Sequence, residues 1–370
     1  MEQVSFETWP SRRDKKIGYA CLNVPSQLNA LNLSMIQNLF DQLKVWENDD
    51  SIACVVLDGA GDKAFCAGGD VRALYYASQV SEEESVRQAK EFFTQEYELD
   101  YFIHQMKTPV VVWGDGIVMG GGLGLMAGAN HRVVTERSNL AMPKVTIGLY
   151  PDVGGTYFLN RMPDGMGLFL GLTGYRMSAA DAKYVKLADI LIDSNKKEAM
   201  FENLREMLWD KLNEVNDELI SYALTKLSEE SQKIHEPSVL FEYQKEISML
   251  MEGELIDIER NMKELKSDKT WLEHAKNTML KGSLLSKHLI YYQLHQGHHL
   301  SLSDVFRQEL SMSVNCIQHG DFIEGVRALL IDKDGQPRWK YKSHKELDAL
   351  TLEKFVTRHW NNEHPLTHLK

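Results

Sequence analysis

Cysteine is scarce in this sequence, which has four cysteines among 370 residues. They stand at positions 21, 54, 66 and 316, so no pair has the CxxC spacing of a zinc or redox motif. Their density is also too low for a small scaffold held together by disulfides. We therefore expect free thiols, a reducing compartment and no metal site.

Basic residues are also few relative to acidic ones. The 41 Lys and Arg residues are outnumbered by 53 Asp and Glu residues, which gives a formal net charge of −12. Basic residues cluster only in the short run from Arg12 to Lys16. A chain of this charge repels phosphates and anionic lipids, so neither nucleic acid nor a membrane surface is an expected partner.

Long apolar runs are missing as well. The most apolar stretch, Pro109 to Ala129, is interrupted by Asp115 and is dense in glycine, which does not suit a membrane-spanning helix. The first residues carry charges at Glu7 and Arg12 where a signal peptide needs an apolar core. With 43% hydrophobic and 25% charged residues, the composition is that of a globular protein. We expect a cytoplasmic protein.

The first half of the chain has the pattern of an α/β fold. Short runs rich in β-branched residues predict strands at 17–24, 52–57, 110–113 and 132–135, each followed by a helix or a glycine turn. Apolar residues from Ile36 to Trp46 recur at helical spacing, with Asn32 or Ser34 as the N-cap. A second long helix is predicted over 84–106.

The second half of the chain has a different amino-acid composition. From about residue 195, Glu, Lys, Leu and Met dominate at helical spacing, and β-branched runs become rare. We therefore predict a core domain over residues 1–200 and a mainly helical region over residues 201–370 packed on it.

Two glycine-rich segments each follow a predicted strand. The first is AFCAGGD, ending at Asp70, and the second is GDGIVMGGGLGL, beginning at Gly114. Neither matches the phosphate-binding loop, which needs GK[ST], nor a clean dinucleotide fingerprint. They are either tight strand-to-helix turns or a pair of converging backbone donors that stabilise a carbonyl oxygen as it gains charge.

Together with AMPKVTIGLYPDVGGTYFL, these segments resemble the enoyl-CoA hydratase/isomerase, or crotonase, superfamily in order and spacing over residues 15–195. The resemblance implies an α/β spiral of ββα units that binds an acyl-CoA thioester and needs no cofactor beyond the CoA of its substrate. It implies that the amides of Gly69 and Gly121 hold the thioester oxygen. It also implies that the adenine and pantetheine parts of CoA lie along residues that include Leu28, Ala30, Ala67 and Asp70.

Two residues indicate which branch of the superfamily is concerned. Hydratases carry catalytic glutamates where this chain has Gly124 and Lys144, so simple hydration is disfavoured. The segments FFTQEYEL, YPDVGG and DFIEGVRALLIDKD are instead similar to the 3-hydroxyisobutyryl-CoA hydrolase branch, which implies thioester hydrolysis in valine breakdown. That resemblance implies that Glu96 hydrogen-bonds the acyl hydroxyl and that Asp152 transfers a proton or places water.

Lys144 departs from the hydrolase pattern, which has a glutamate at this position. The lysine either pairs with Asp152 and leaves a slow enzyme that still binds substrate, or is desolvated and serves as a neutral base. A lysine foreign to the gene and a rearranged loop are further alternatives.

Two other functions stay open at this point. One is an isomerase or atypical hydratase acting on another acyl-CoA, and the other is an acyl-CoA-binding protein that has lost catalysis. The chain could also form a homo-oligomer. A group of histidines matches no metal-binding spacing and is interpreted as lying at the surface or at helix ends: His288, His295, His298 and His299.

Overall fold

The computed structural model describes residues 2–231, 236–360 and 362–370. Its strands are β1 (Val4–Pro10), β2 (Lys16–Leu22), β3 (Ile52–Gly59), β4 (Ala64–Cys66), β5 (Val110–Gly114), β6 (Ile117–Met119), β7 (His131–Val134), β8 (Asn139–Ala141) and β9 (Ile190–Leu191).

The α-helices of the described residues are α1 (Leu33–Glu47), α2 (Arg72–Val80), α3 (Glu82–Gln105), α4 (Gly121–Ala127), α5 (Gly155–Leu159), α6 (Met166–Thr173), α7 (Ala179–Tyr184), α8 (Lys197–Glu206), α9 (Asn213–Glu229), α10 (Val239–Glu242), α11 (Gln244–Leu250), α12 (Leu255–Glu264), α13 (Thr270–Lys281), α14 (Leu284–Gln296), α15 (Leu302–His319), α16 (Phe322–Val326) and α17 (Ala349–Val356). Short 3-10 turns include Lys144–Ile147 and His344–Glu346.

The strands form two sheets between which the chain alternates. The larger sheet has the order β1-β2-β3-β5-β7-β9, and the smaller has the order β4-β6-β8. Thus β3, β5 and β7 each lead to a strand of the smaller sheet, and a helix follows β4 and β6. Only β1 and β2 pair in antiparallel fashion within the described larger sheet. This arrangement is the spiral of ββα units that the resemblance implied.

Local sequence explains the central elements. All eight residues of β3 are buried, as expected for a strand with parallel neighbours on both sides. The helix α1 begins after Asn32, whose side chain accepts a hydrogen bond from the amide of Met35, so of the two predicted N-caps Asn32 is confirmed and Ser34 is wrong. The predicted strands and the helix predicted over 84–106 differ from the observed bounds by no more than two residues.

The described residues divide into two compact units, each built from three separate segments of chain. Unit 1 comprises 1–69, 99–140 and 177–241, and unit 2 comprises 70–98, 141–176 and 242–370. This division differs from the single boundary near residue 200, which stays a prediction.

The core of unit 1 joins its sheet to its last helices. Side chains of the larger sheet, such as Ile17, Val56 and Val111, share one buried cluster with side chains of α8 and α9, such as Phe201 and Leu224. Burial of this apolar surface stabilises the unit by roughly 25 cal/mol per Å² removed from water.

Past Leu191, the described part of the chain contains helices and turns and no strand, which confirms the helical second half. None of the described helices combines the length and the apolar composition needed to cross a lipid bilayer. All four cysteines are buried thiols.

Candidate active site

The two glycine-rich turns of unit 1 pack directly against each other. Gly68 has a φ of +109°, a left-handed conformation that favours glycine, and a Cβ there would lie 3.1 Å from the carbonyl oxygen of Met119. The same Cβ would lie 3.6 Å from the amide nitrogen of Gly121, while a Cβ on Gly122 would overlap the carbonyl oxygen of Cys66. The turn after β4 and the turn after β6 therefore require glycine for close contact.

The amides of Gly69 and Gly121 are available as donors. Gly121 is the first residue of α4, where amides lack an intrahelical acceptor. The bridge between Leu31 and Gly69 uses the Leu31 amide, which donates to the carbonyl of Gly68 at 2.8 Å. No hydrogen bond within the described residues occupies the amide of Gly69 or Gly121. Their convergence on one thioester oxygen stays a prediction.

The segments predicted to line the CoA path are joined within unit 1. The amide of Ala67 donates to the carbonyl of Leu28 at 3.0 Å, and Ala30 donates to Gln27 at 3.1 Å. Leu28 adopts a left-handed φ of 54° and lines a cavity of about 270 Å³ that also has Lys63 on its wall.

Asp70 has a different environment from the other residues predicted to line the CoA path. It belongs to unit 2, where its carboxylate contacts the Arg72 guanidinium at 2.7 Å. Hydrogen bonding from Arg72 lowers the pKa of Asp70, so this carboxylate is an ion-pair partner.

Three ionisable residues predicted for the site come together inside unit 2. Lys144 Nζ lies 2.6 Å from Asp152 Oδ1, Asp152 is 0% exposed, and Lys144 is 9% exposed. Glu96, on α3, is 2% exposed, and its Oε1 is buried without a hydrogen-bond partner among the described residues. The predicted pairing of Lys144 with Asp152 is confirmed.

The pKa shifts assign protonation states to this cluster. Burial is the largest influence on Lys144 and opposes its charge, but the acidic groups around it, Asp152 foremost, together outweigh burial and raise the pKa of the lysine. This direction contradicts the neutral-base hypothesis for Lys144. Burial, followed by the charge of Asp152, raises the pKa of Glu96 to about 8, so at neutral pH its carboxyl is mostly an uncharged acid.

Sequence reasoning missed a chain of hydroxyl groups behind Asp152. Tyr97 donates to Asp152 Oδ2 at 3.0 Å, and its oxygen lies 2.8 Å from Ser313 Oγ. Ser313 Oγ is also 2.8 Å from the hydroxyl of Tyr150, which donates to the carbonyl oxygen of Glu309 at 2.6 Å. Burial raises the pKa of both phenols, so each keeps its hydrogen.

A second missed residue, Glu309 on α15, fixes the loop that carries Asp152. Its carboxyl group, whose pKa burial raises to about 8, accepts the amides of Gly154 at 2.8 Å and Thr156 at 2.9 Å, at the start of α5. Between them and Asp152, Val153 adopts a φ of 55°, which is strained for a β-branched residue. The available signal was a glutamate among the apolar residues of a helix, three positions after Phe306 and one before Leu310.

Comparison with known proteins decides the family. A family model described as enoyl-CoA hydratase/isomerase matches residues 17–356. The chain belongs to the enoyl-CoA hydratase/isomerase family. It is 39% identical over 331 residues to the mitochondrial 3-hydroxyisobutyryl-CoA hydrolase of Xenopus laevis, covering 89% of this chain and 83% of the relative. The human protein of the same name is 38% identical over 334 residues, with the same two coverages.

Two solved structures share the fold over nearly the whole chain. A carnitinyl-CoA dehydratase from Mycobacterium thermoresistibile superposes with a TM-score of 0.83 at 31% identity, covering 97% of each chain. An enoyl-CoA hydratase from Rhodobacter sphaeroides 2.4.1 gives a TM-score of 0.82 at 29% identity, covering 96% of this chain and 97% of the other. The long helical second half is thus shared with these proteins.

The described residues show no metal-binding cluster, and three of the four histidines singled out in the sequence are exposed. Within the described ranges, no cluster of three or more His, Cys, Asp or Glu side chains could hold a metal ion. His295, His298 and His299 are exposed, as interpreted. The interpretation is wrong for His288, which is half-buried in mid-helix because its ring contacts His344, with 2.9 Å between Nε2 and Nδ1.

Proposed function

We propose that this chain hydrolyses the thioester of a short-chain 3-hydroxyacyl-CoA of the 3-hydroxyisobutyryl-CoA type, a reaction of valine breakdown. The proposal is supported by relatives named 3-hydroxyisobutyryl-CoA hydrolase at 36–39% identity. The structural observation that carries it is the buried cluster of Glu96, Lys144 and Asp152.

The cluster has the groups that hydrolysis requires. Asp152 takes a proton from water as the water oxygen bonds to the thioester carbonyl carbon. When the carbon–sulfur bond breaks, the departing sulfur takes that proton, so the products are a carboxylic acid and free CoA thiol. Lys144 holds Asp152 in place through the ion pair at 2.6 Å.

Glu96 selects the acyl group in this proposal. A buried oxygen without a partner is unfavourable by about 1–3 kcal/mol, and a substrate hydroxyl relieves that cost by donating to Oε1. The predominantly uncharged carboxyl can also donate a hydrogen bond in return. A 3-hydroxyacyl group therefore binds better than the matching acyl group without a hydroxyl.

The reaction also needs donors for the oxygen that gains charge in the transition state. The amides of Gly69 and Gly121 are the predicted donors, and removing one such donor from an enzyme typically lowers kcat by about 10²–10³-fold.

A thiol-release assay over a panel of short-chain acyl-CoA esters tests the proposal. We expect release of CoA thiol to be fastest with 3-hydroxyacyl esters, and the substitution Asp152→Asn to lower kcat more than it changes KM. Conversion of an acyl-CoA without thiol release would indicate the isomerase or hydratase alternative. Tight binding of CoA esters without any conversion would indicate a binding protein.

Two further properties are part of this proposal. We keep the cytoplasm as the proposed location, although the relatives carry "mitochondrial" in their names, and fluorescence microscopy of the tagged protein tests it. A homo-oligomer is also proposed, and light scattering on the purified protein measures its mass against the 42.3 kDa of one chain.

A further inference from the structure

The hydroxyl chain behind Asp152 consists of four consecutive oxygen contacts. They run from Asp152 Oδ2 through Tyr97, Ser313 and Tyr150 to the carbonyl oxygen of Glu309, at 3.0, 2.8, 2.8 and 2.6 Å. The two tyrosines, Ser313 and Asp152 are each 0% exposed. Solvent therefore has no direct route to these hydroxyls in the folded protein.

Counting hydrogens shows that this chain is incomplete when Asp152 is ionised. Three hydroxyl groups supply three hydrogens, whereas four contacts each need one. If Tyr97 donates to Asp152 and Tyr150 donates to Glu309, the single hydrogen of Ser313 can serve only one of its two contacts. One pair of oxygens then lies within hydrogen-bond distance with no hydrogen between them.

A proton on Asp152 Oδ2 supplies the fourth hydrogen. Asp152 then donates to Tyr97, Tyr97 to Ser313, Ser313 to Tyr150, and Tyr150 to the Glu309 carbonyl oxygen. Every contact is satisfied and all donors point the same way, an arrangement in which hydrogen bonds strengthen one another.

We propose that Tyr97, Ser313 and Tyr150 are positioning residues that form a hydroxyl relay, which is complete only when Asp152 holds a proton. This inference rests on the proposed function, because hydrolysis is the process that delivers a proton to Asp152. The relay makes Asp152 a better proton acceptor during turnover and acts on the reaction through Asp152 alone.

The relay adds no net proton transfer to the hydrolysis reaction. Water gives one proton to Asp152 while its oxygen bonds to the thioester carbon, and the hydroxyls of Tyr97 and Ser313 turn away from Asp152. When the carbon–sulfur bond breaks, the proton passes from Asp152 to sulfur and the hydroxyls turn back. No proton leaves the three hydroxyl groups at any step.

Several titratable groups face Asp152 besides the relay, and the substitution of Ser313 replaces none of them. Within the described residues they are Glu96 from α3, Lys144 from its 3-10 turn, and Glu309 and Cys316 from α15. A change confined to the Ser313 hydroxyl therefore isolates the relay.

The substitutions Ser313→Ala and Tyr150→Phe test the relay from its middle and from its far end. In each variant Tyr97 donates to ionised Asp152, and every remaining contact has a hydrogen of its own. Each substitution therefore favours the ionised carboxylate. We expect the acidic limb of the kcat profile to move to lower pH by about half a unit or more. The acidic limb of the double variant should shift no further than that of either single variant, because either substitution alone already removes the contact that lacks a hydrogen.

Two controls separate the relay from a general packing effect. Ser311 is on the same helix, and its hydroxyl donates to the carbonyl oxygen of Arg307 and accepts from the Trp360 indole. Ser311→Ala removes this hydroxyl and should leave the pH profile of kcat unchanged. In a Tyr97→Phe background the relay is cut from Asp152, so adding Ser313→Ala should then have no effect on the profile.

An infrared titration makes the test independent of turnover. The carboxyl band that disappears in Asp152→Asn reports the protonated side chain, and it should appear at lower pH in Ser313→Ala and Tyr150→Phe. If the unaltered protein releases no thiol, the proposed function fails while this titration still decides the relay. An unmoved band in Tyr150→Phe, additive shifts in the double variant, or an effect that survives Tyr97→Phe overturns the relay.

Discussion

Residue 144 places a positive charge against Asp152, where the hydrolase resemblance has a second carboxylate. The ammonium lies 2.6 Å from Asp152 and near Glu96, and both residues influence its ionisation. The ion pair keeps Asp152 oriented but leaves the cluster without a second charged carboxylate, because Glu96 is mostly protonated at neutral pH.

The substitution Lys144→Glu is expected to raise thiol release. It restores the two-carboxylate arrangement, and one positioned acid or base typically contributes about 10²-fold or more to the rate. The gain should be largest for 3-hydroxyacyl esters because Glu96 is unchanged. The measurement is kcat and kcat/KM over the same acyl-CoA panel.

Lys144→Gln is the matched control, since it removes the cation without supplying a carboxylate. Rescue by Glu alone supports a missing carboxylate, whereas equal rescue by Gln identifies the ion pair as the inhibitory feature. Loss of an existing activity in Lys144→Glu would show that the lysine itself is the working group.

Glu309→Gln is expected to destabilise the loop that carries Asp152. An amide has one acceptor oxygen, so its NH2 group would face the second of the two amide donors, Gly154 or Thr156. A buried donor without a partner costs about 1–3 kcal/mol, measured as a lower free energy of unfolding in urea. Glu353→Gln, at an exposed helix position, should be nearly neutral; equal losses in both variants would contradict the assigned role.

The sequence predicted part of this residue-scale arrangement. Lys144 and Asp152 lie eight positions apart on one motif, so their pairing could be proposed directly. Tyr97 and Ser313 are 216 positions apart, and no local pattern joins them. Nothing in periodicity marks a serine on an apolar helix face as a hydrogen-bond partner.

At the scale of elements, long periodic segments were predictable and very short ones were not. The helices α1 and α3 each present apolar residues over several turns, which fixes their type. The strands β4, β6 and β8 have three residues each, too few to show a period of two. Their glycine turns were the only local signal that the chain leaves the larger sheet.

Glu259 joins three elements of unit 2 and provides a test of their packing. Its carboxylate, on α12, forms an ion pair with Lys287 of α14 and lies 2.8 Å from the His344 ring. Because Lys287 is 5% exposed, Glu259→Gln leaves a buried ammonium without its counter-charge. We expect a loss of about 3 kcal/mol in the free energy of unfolding.

The double variant Glu259→Gln with Lys287→Met controls for this prediction. It removes both charges, so its loss should be clearly smaller than that of Glu259→Gln alone. An additive or larger loss would contradict the assignment of the cost to an unpaired lysine.

For the whole molecule, stability should depend on pH through Glu96. Its pKa is raised to about 8 in the folded state from 4.5, so the folded protein binds a proton there that the unfolded chain releases. Its contribution is complete below pH 4.5 and is lost as the pH rises to about 8. Urea unfolding at pH 5, 6.5 and 8 should show a shallower decline in Glu96→Gln than in the unaltered protein.

Glu83→Gln is the matched control, because Glu83 lies exposed on the same helix. That variant should follow the pH dependence of the unaltered protein. An unchanged decline in Glu96→Gln would show that the protonation of Glu96 does not differ between the folded and unfolded states.

The composition of each unit from three separated segments has a consequence for synthesis on the ribosome. Unit 1 needs residues up to 241 and unit 2 needs residues up to 370. A nascent chain of about 200 residues lacks Trp209, Ile220 and Leu224, which belong to the buried cluster of unit 1. The sheet side of that cluster therefore emerges uncovered, and exposed apolar surface of this kind is what chaperones bind and what makes incomplete chains aggregate.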